Sequence, residues 1–185
     1  LAATQTFALA QTAAYAELTA IDAQKFPTIT TLVDVFDANG AFIANLEPSA
    51  ITVYEDSQPR PVDTLTESTV PVQIVVGINP GPPLAARDGT GVARFTRVVE
   101  ALGVWANSQP TDSHDDLSLV SLSDLNSHAA PKDWFVSLNS FKPDFRATTP
   151  NLQSLTIALN TVNSPTLQAG MKRAVLFITP YMDDP

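Results

Sequence analysis

The residues best placed for chemistry are Asn79, Pro80, Gly81, Pro82 and Pro83, which follow directly on the apolar run Val72–Ile78. The end of a buried strand is where an α/β domain places its ligands. Here that position holds one carboxamide, one glycine and three prolines, with no carboxylate and no hydroxyl. Proline has no N–H, so the loop is also poor in backbone donors. Elsewhere the chemistry-bearing residues are scattered. There is no cysteine, which excludes disulfides, zinc-thiolate sites and thiol catalysis. There is no G-x-S-x-G, no glycine-rich phosphate loop and no H-E-x-x-H. No carboxylate pair suited to glycoside hydrolysis stands out.

Three smaller groups each have two readings. His114-Asp115-Asp116 are metal-ligand types. They precede a strand, however, and sites in this fold class lie at carboxyl ends. His128 falls in the segment Asp124–Pro131, read as a loop, where no nucleophile accompanies it. It is taken as a surface residue. Phe141-Lys142-Pro143-Asp144-Phe145 is either internal packing, with Trp105, Trp134 and Phe135, or a partner contact anchored by Phe141 and Phe145.

The elements that must position these residues are legible from period and turn chemistry. Residues 1–26 are rich in Ala, Thr and Gln, contain neither glycine nor proline, and are expected to be a helix or a solvated spacer. Residues 27–70 change character. Ile29, Thr31, Val33 and Val35 alternate on one strand face, and Asp37-Ala38-Asn39-Gly40 is a tight turn. Further extended segments at 41–46, 51–55 and 60–70 complete a small β-module, read as a sandwich or layer. Residues 71–185 alternate strand and helix: strands at 72–78, 117–122, 134–138 and 174–179, and helices at 92–107 and 151–162. That order predicts βαβ units and a mostly parallel sheet.

The 185 residues are 44% hydrophobic and only 16% charged, with a net charge of −9. The imbalance is local: residues 1–71 carry nine acidic and two basic side chains, whereas residues 72–185 carry ten and eight. With no basic stripe, nucleic-acid binding and attraction to an anionic membrane surface are not expected. No apolar run reaches the 18 or so residues of a membrane span. The start at Leu1 and the stop at Asp183-Asp184-Pro185, directly after an apolar strand, lead to the expectation of a chain cut at both ends. Any signal or anchor segment would then lie outside it.

Several ordered pieces of residues 71–185 resemble a von Willebrand factor A domain. Asp116-Leu117-Ser118-Leu119-Val120-Ser121-Leu122-Ser123-Asp124 is similar to that family's second strand. Thr148-Thr149-Pro150-Asn151-Leu152, followed by Ser154–Leu159, is similar to its threonine loop and helix, and Lys172–Thr179 to its fourth strand. Leu32–Gly40 and Ile51–Asp56 resemble the Ig-like β-module that precedes some bacterial surface A domains. The resemblance implies a Rossmann-like, mostly parallel sheet with flanking helices, its C-terminal part missing, behind an Ig-like module and the N-terminal helical segment. In that family a divalent metal is held by D-x-S-x-S, a threonine and an aspartate. Those positions fall here on Asn79–Pro83, on Thr149 or Thr148, and on Pro180. The resemblance therefore implies a domain without a metal site or cofactor. The expected role is non-enzymatic: a protein–protein contact module of an extracytoplasmic, bacterial-type surface protein. Adhesion, scaffolding and assembly are its forms, with Asn79–Pro83, Thr149, Phe141 and Phe145 as binding residues. The alternatives are a cation-dependent adhesion domain using Asp183, Asp184 and Asp88, or a hydrolase with an unrecognised site.

Overall fold

A computed structural model describes residues 13–164 and 170–180. The chain divides between Thr69 and Val70 into two compact units.

The described part of the first unit is β apart from one 3-10 turn at Pro48–Ala50. Strand β1 (Ala13–Asp22) pairs antiparallel with β2 (Thr30–Asp37). The helix or spacer expected over residues 1–26 is thus corrected for its second half; residues 1–12 lie outside the described residues. The physical reason is pairing. Alanine favours helix only weakly, and a partner strand overrides that preference. Tyr15 sits opposite Phe36, and their rings stack at 4.7 Å. The Asp37–Gly40 turn forms as its sequence requires. Asp37 Oδ1 accepts the N–H groups of Asn39 and Ala41, and Gly40 takes a positive φ of 79°.

The other extended segments shrink. Residues 41–46 retain only a bridge between Phe42 and Phe36. Residues 51–70 give a short hairpin, β3 (Val53–Glu55) with β4 (Gln58–Arg60). Its two turn residues, Asp56 and Ser57, both have positive φ, the geometry that matches strand twist. The described residues thus form two separate two-stranded ribbons and not a sandwich. Among their large apolar side chains only Val35 and Ile43 are buried.

The second unit is mixed α/β. Its sheet has the order β7-β6-β5-β8. Strand β5 (Val72–Ile78) is central and runs parallel to both β6 (Asp116–Val120) and β8 (Lys172–Ile178). Strand β7 (Asp124–Ala129) lies antiparallel on the edge beside β6. Four helices accompany the sheet: α1 (Pro82–Ala85), α2 (Arg94–Ser108), α3 (Pro131–Ser140) and α4 (Gln153–Val162).

Two corrections follow. Residues 134–138, expected as a strand, lie in α3. The signals that decide this are Pro131 in the first turn, Asp133 beside it, and Trp134 and Leu138 one helical turn apart, both fully buried. Residues 124–131, expected as a loop, supply β7. Its polar side chains lack the usual alternation, and hydrogen bonds to β6 make it a strand.

The sheet has a core on each face. Val76, Ile78, Leu117 and Leu119 meet Phe95 and Ala106 of α2 and Trp134 and Leu138 of α3. Gly103 of α2 lets the Phe135 ring approach; a Cβ there would stand 2.6 Å from its Cε2. Val75 and Val120 on the opposite face meet Ala158 and Val162 of α4.

Both tryptophans lie in this unit, so its unfolding can be followed by their fluorescence. Leu119→Ala should cost about 2–5 kcal/mol in urea unfolding, as for a fully buried leucine. Leu176→Ala, 45% exposed on β8, should cost less than about 1 kcal/mol. Equal losses would show that the side chains do not pack as described.

Candidate functional site at the carboxyl edge of the sheet

The chain runs from β5 to β6 and β7 on one side, then returns to β8 on the other. The carboxyl ends of β5 and β8 therefore flank a topological switch point, where doubly wound sheets open a crevice for ligands. Here the crevice is filled by the protein itself.

Asn79, the first residue after β5, is fully buried. Its N–H donates to the Ile178 carbonyl at 2.9 Å, extending the β5–β8 ladder. Its Nδ2 donates to Thr179 Oγ1 at 2.9 Å, and its Oδ1 accepts the Asn151 N–H at 3.2 Å. One carboxamide thus ties the ends of β5 and β8 to the segment leading into α4. Asn151 Oδ1 in turn accepts the N–H of Gln153, the first residue of that helix, at 2.8 Å. A fourth segment joins through Ser121, whose hydroxyl donates to the Ile78 carbonyl at 2.9 Å.

Prolines close the remaining space. Pro80, Gly81 and Pro180 are buried. A Cβ on Gly81 would collide with the Pro150 ring and stand 3.2 Å from Pro180 Cγ. Glycine is needed here for close approach, since its φ of −177° is one any residue adopts. Pro82 is exposed, Pro83 half-buried, and both sit in the first turn of α1.

Of the residues expected to bind, Asn79, Pro80 and Gly81 form this knot, with Pro82 and Pro83 at its rim. Thr149 joins it only through its backbone: the side chain is exposed, and the carbonyl accepts from Asn151 Nδ2. Thr148 turns to the Asp144 carbonyl at 2.7 Å. Phe141 and Phe145 are half-buried and packed on Phe95, with ring centroids at 6.1 and 4.7 Å. Their main contacts are thus internal. Phe141 also lines a shallow groove with Leu125, Ser137, Lys142 and Pro143.

These residues do not fit a divalent cation. The knot offers it no carboxylate, and the Asn79 oxygen already holds an N–H. Among the described residues no three His, Asp or Glu side chains come together as metal ligands. Asp88 is engaged elsewhere. Its Oδ1 accepts the Thr90 and Val92 N–H groups and the Thr90 hydroxyl, and its Oδ2 accepts Arg97 Nε at 3.1 Å. These bonds, the Thr90 hydroxyl first, hold its carboxyl well below the usual carboxylate range. Asp183 and Asp184 lie outside the described residues.

The structure also joins two residues that sequence reading kept apart. Asp116 Oδ2 lies 2.8 Å from His128 Nδ1. They are twelve positions apart, and only the antiparallel return of β7 brings them together.

Comparison with protein-family models, with curated proteins and with solved structures gives no match.

Two outcomes are expected. Gly81→Ala should cost about 1–3 kcal/mol, because Pro150 must give way; an unchanged urea midpoint would show the knot to be loose. The folded Asp88 carboxyl titrates below the unfolded one, near 3.9. Its contribution to stability is therefore present above that pH and is lost as the pH falls through and below it. Asp88→Asn should flatten the acid limb of the stability profile below about pH 4; an identical acid limb in the variant would contradict the assignment.

Proposed function

We propose that the second unit is a von Willebrand factor A-like module whose loop face serves protein–protein contact and carries no metal. Three features support this reading. The sheet order, third-second-first-fourth with an antiparallel third strand, is that of a doubly wound half with one reversed edge. The segments similar to that family's motifs meet at the switch point. The single observation that carries the reading is the buried Asn79 carboxamide, bonded to Thr179 and Asn151 where an anionic ligand set would otherwise stand.

A face built this way presents shape instead of charge. It is pinned by hydrogen bonds and proline rings, so little entropy is lost when a partner covers it. Pro82 is exposed on it, and Leu122 and Leu152 are 38% and 55% exposed at neighbouring loops. Gln153 Nε2 joins those loops by donating to the Leu122 carbonyl at 3.1 Å. Exposed apolar side chains on a fixed frame are what an interface core needs. In the same reading the first unit, with its two β-ribbons, precedes the module in an extracytoplasmic surface protein that acts in adhesion, scaffolding or assembly. No described helix is long and apolar enough to cross a membrane.

The test is cross-linking capture at the loop face. A photo-reactive group at position 149 should trap a protein partner. The double substitution Pro82→Glu and Leu152→Glu should reduce trapping at least tenfold without changing the circular dichroism. Trapping of equal strength in the double variant would remove the loop face from the interaction.

A further inference from the structure

At the opposite, amino edge of the sheet three side chains stand in line. Asp116, the first residue of β6, has a fully buried side chain, and its Oδ2 lies 2.8 Å from His128 Nδ1. The His128 ring is about one-third exposed, and its Nε2 lies 3.5 Å from Ser164 Oγ, just beyond α4. We propose that Ser164, His128 and Asp116 form an acyl-transfer relay: Ser164 as nucleophile, His128 as general base, Asp116 as the group that orients the ring. This inference is independent of the loop-face reading.

Several features of the fold serve to aim the histidine. The register between β6 and β7 slips by one residue between the pairs Leu117–Ala129 and Leu119–Asn126. A bulge of this kind re-aims a side chain. His128 sits in the bulge with a positive φ of 57°, a conformation histidine takes more readily than most non-glycine residues. Its N–H is held by Ser118 Oγ at 3.1 Å. Gln73, in register with Asp116 on β5, steadies the carboxylate by donating Nε2 to Oδ2 at 3.2 Å.

The chemistry follows from these positions. A carboxylate only accepts, so the contact places a ring proton on Nδ1, and in the neutral tautomer with that proton Nε2 carries the lone pair. The Ser164 hydroxyl now donates to the Thr161 carbonyl at 2.6 Å, and its proton need only turn about the Cβ–Oγ bond to face Nε2. A separation of 3.5 Å is within the loose range of an unliganded nucleophile–base pair. Oγ would attack the carbonyl carbon of an ester while its proton passes to Nε2. The carbon–oxygen bond to the alcohol would then break, His128 returning the proton to the departing oxygen. Water, deprotonated by the same Nε2, would release the acid and restore Ser164. Ser164 is only half-buried, which fits small activated esters.

The test uses a fluorophosphonate probe and peptide mapping by mass spectrometry on the full chain. Attack by Ser164 Oγ breaks the phosphorus–fluorine bond and leaves a phosphonyl adduct on that residue. The expected result is an adduct on Ser164, absent in Ser164→Ala and formed at least tenfold more slowly in His128→Gln, with a matching loss of p-nitrophenyl acetate hydrolysis. Both side chains are partly exposed, so both variants should keep the parent circular dichroism. No adduct on Ser164 under conditions that label a serine hydrolase fully, or an equal labelling rate in His128→Gln, would overturn the proposal. Either result would leave Asp116 and His128 as a pin between β6 and β7.

Discussion

A primary carboxamide buried at the end of a central strand must find partners for its amide group and its oxygen, and Asn79 finds Thr179 for the one and Asn151 for the other, on different parts of the chain. Leaving such a group unpaired costs about 1–3 kcal/mol per bond. The ends of β5 and β8 and the approach to α4 are therefore held where those bonds can form. Pro150 and Pro180 can close on the knot only because Gly81 has no side chain. The parallel β5–β8 register continues through it, since the Asn79 N–H makes the last rung. Hydrogen bonds between neutral groups and ring packing thus occupy a position that this class of sheet commonly gives to a ligand.

The two edges of the sheet differ in kind. At the carboxyl edge the Asn79 carboxamide is bonded internally and the knot is uncharged. At the amino edge a buried carboxylate, a histidine in a bulge and a hydroxyl line up toward solvent. Asp116 Oδ1 and Gln73 Oε1 are buried there without a hydrogen-bonding partner. Buried polar groups are rarely left so. The proposed relay and the proposed contact surface therefore fall at opposite ends of one layer.

Sequence legibility followed the strength of the local signal. Val72–Ile78, Arg94–Ser108, Gln153–Val162 and Lys172–Ile178 have periods long or apolar enough to name their type, and the structure departs from them by only a residue or two at the ends. Trp134–Leu138 was misjudged because five mostly apolar residues fit either period, and Pro131 was the cue that separates them. Ala13–Asp22 and Asp124–Ala129 are strands through pairing: one carries alanine, the other polar side chains, and each is stabilised by its neighbour. The same cause hid the Asp116–His128 contact, which depends on an antiparallel register with a bulge. The Asn79 loop was legible as a place without ionic groups. The bonds from its carboxamide to Thr179 and Asn151, 100 and 72 positions away, were not.

The most direct measurement is thermal unfolding of the purified chain in EDTA and in millimolar Mg²⁺, Ca²⁺ and Mn²⁺, read by tryptophan fluorescence in the second unit. A cation bound to the folded state at a hundredfold above its Kd would add about 2.7 kcal/mol and raise the midpoint by several degrees. A knot made of neutral groups gives midpoints that agree in all four solutions. A rise of several degrees with one cation, reversed by EDTA, would contradict the claim that Asn79 and its prolines have taken the place of an ionic site.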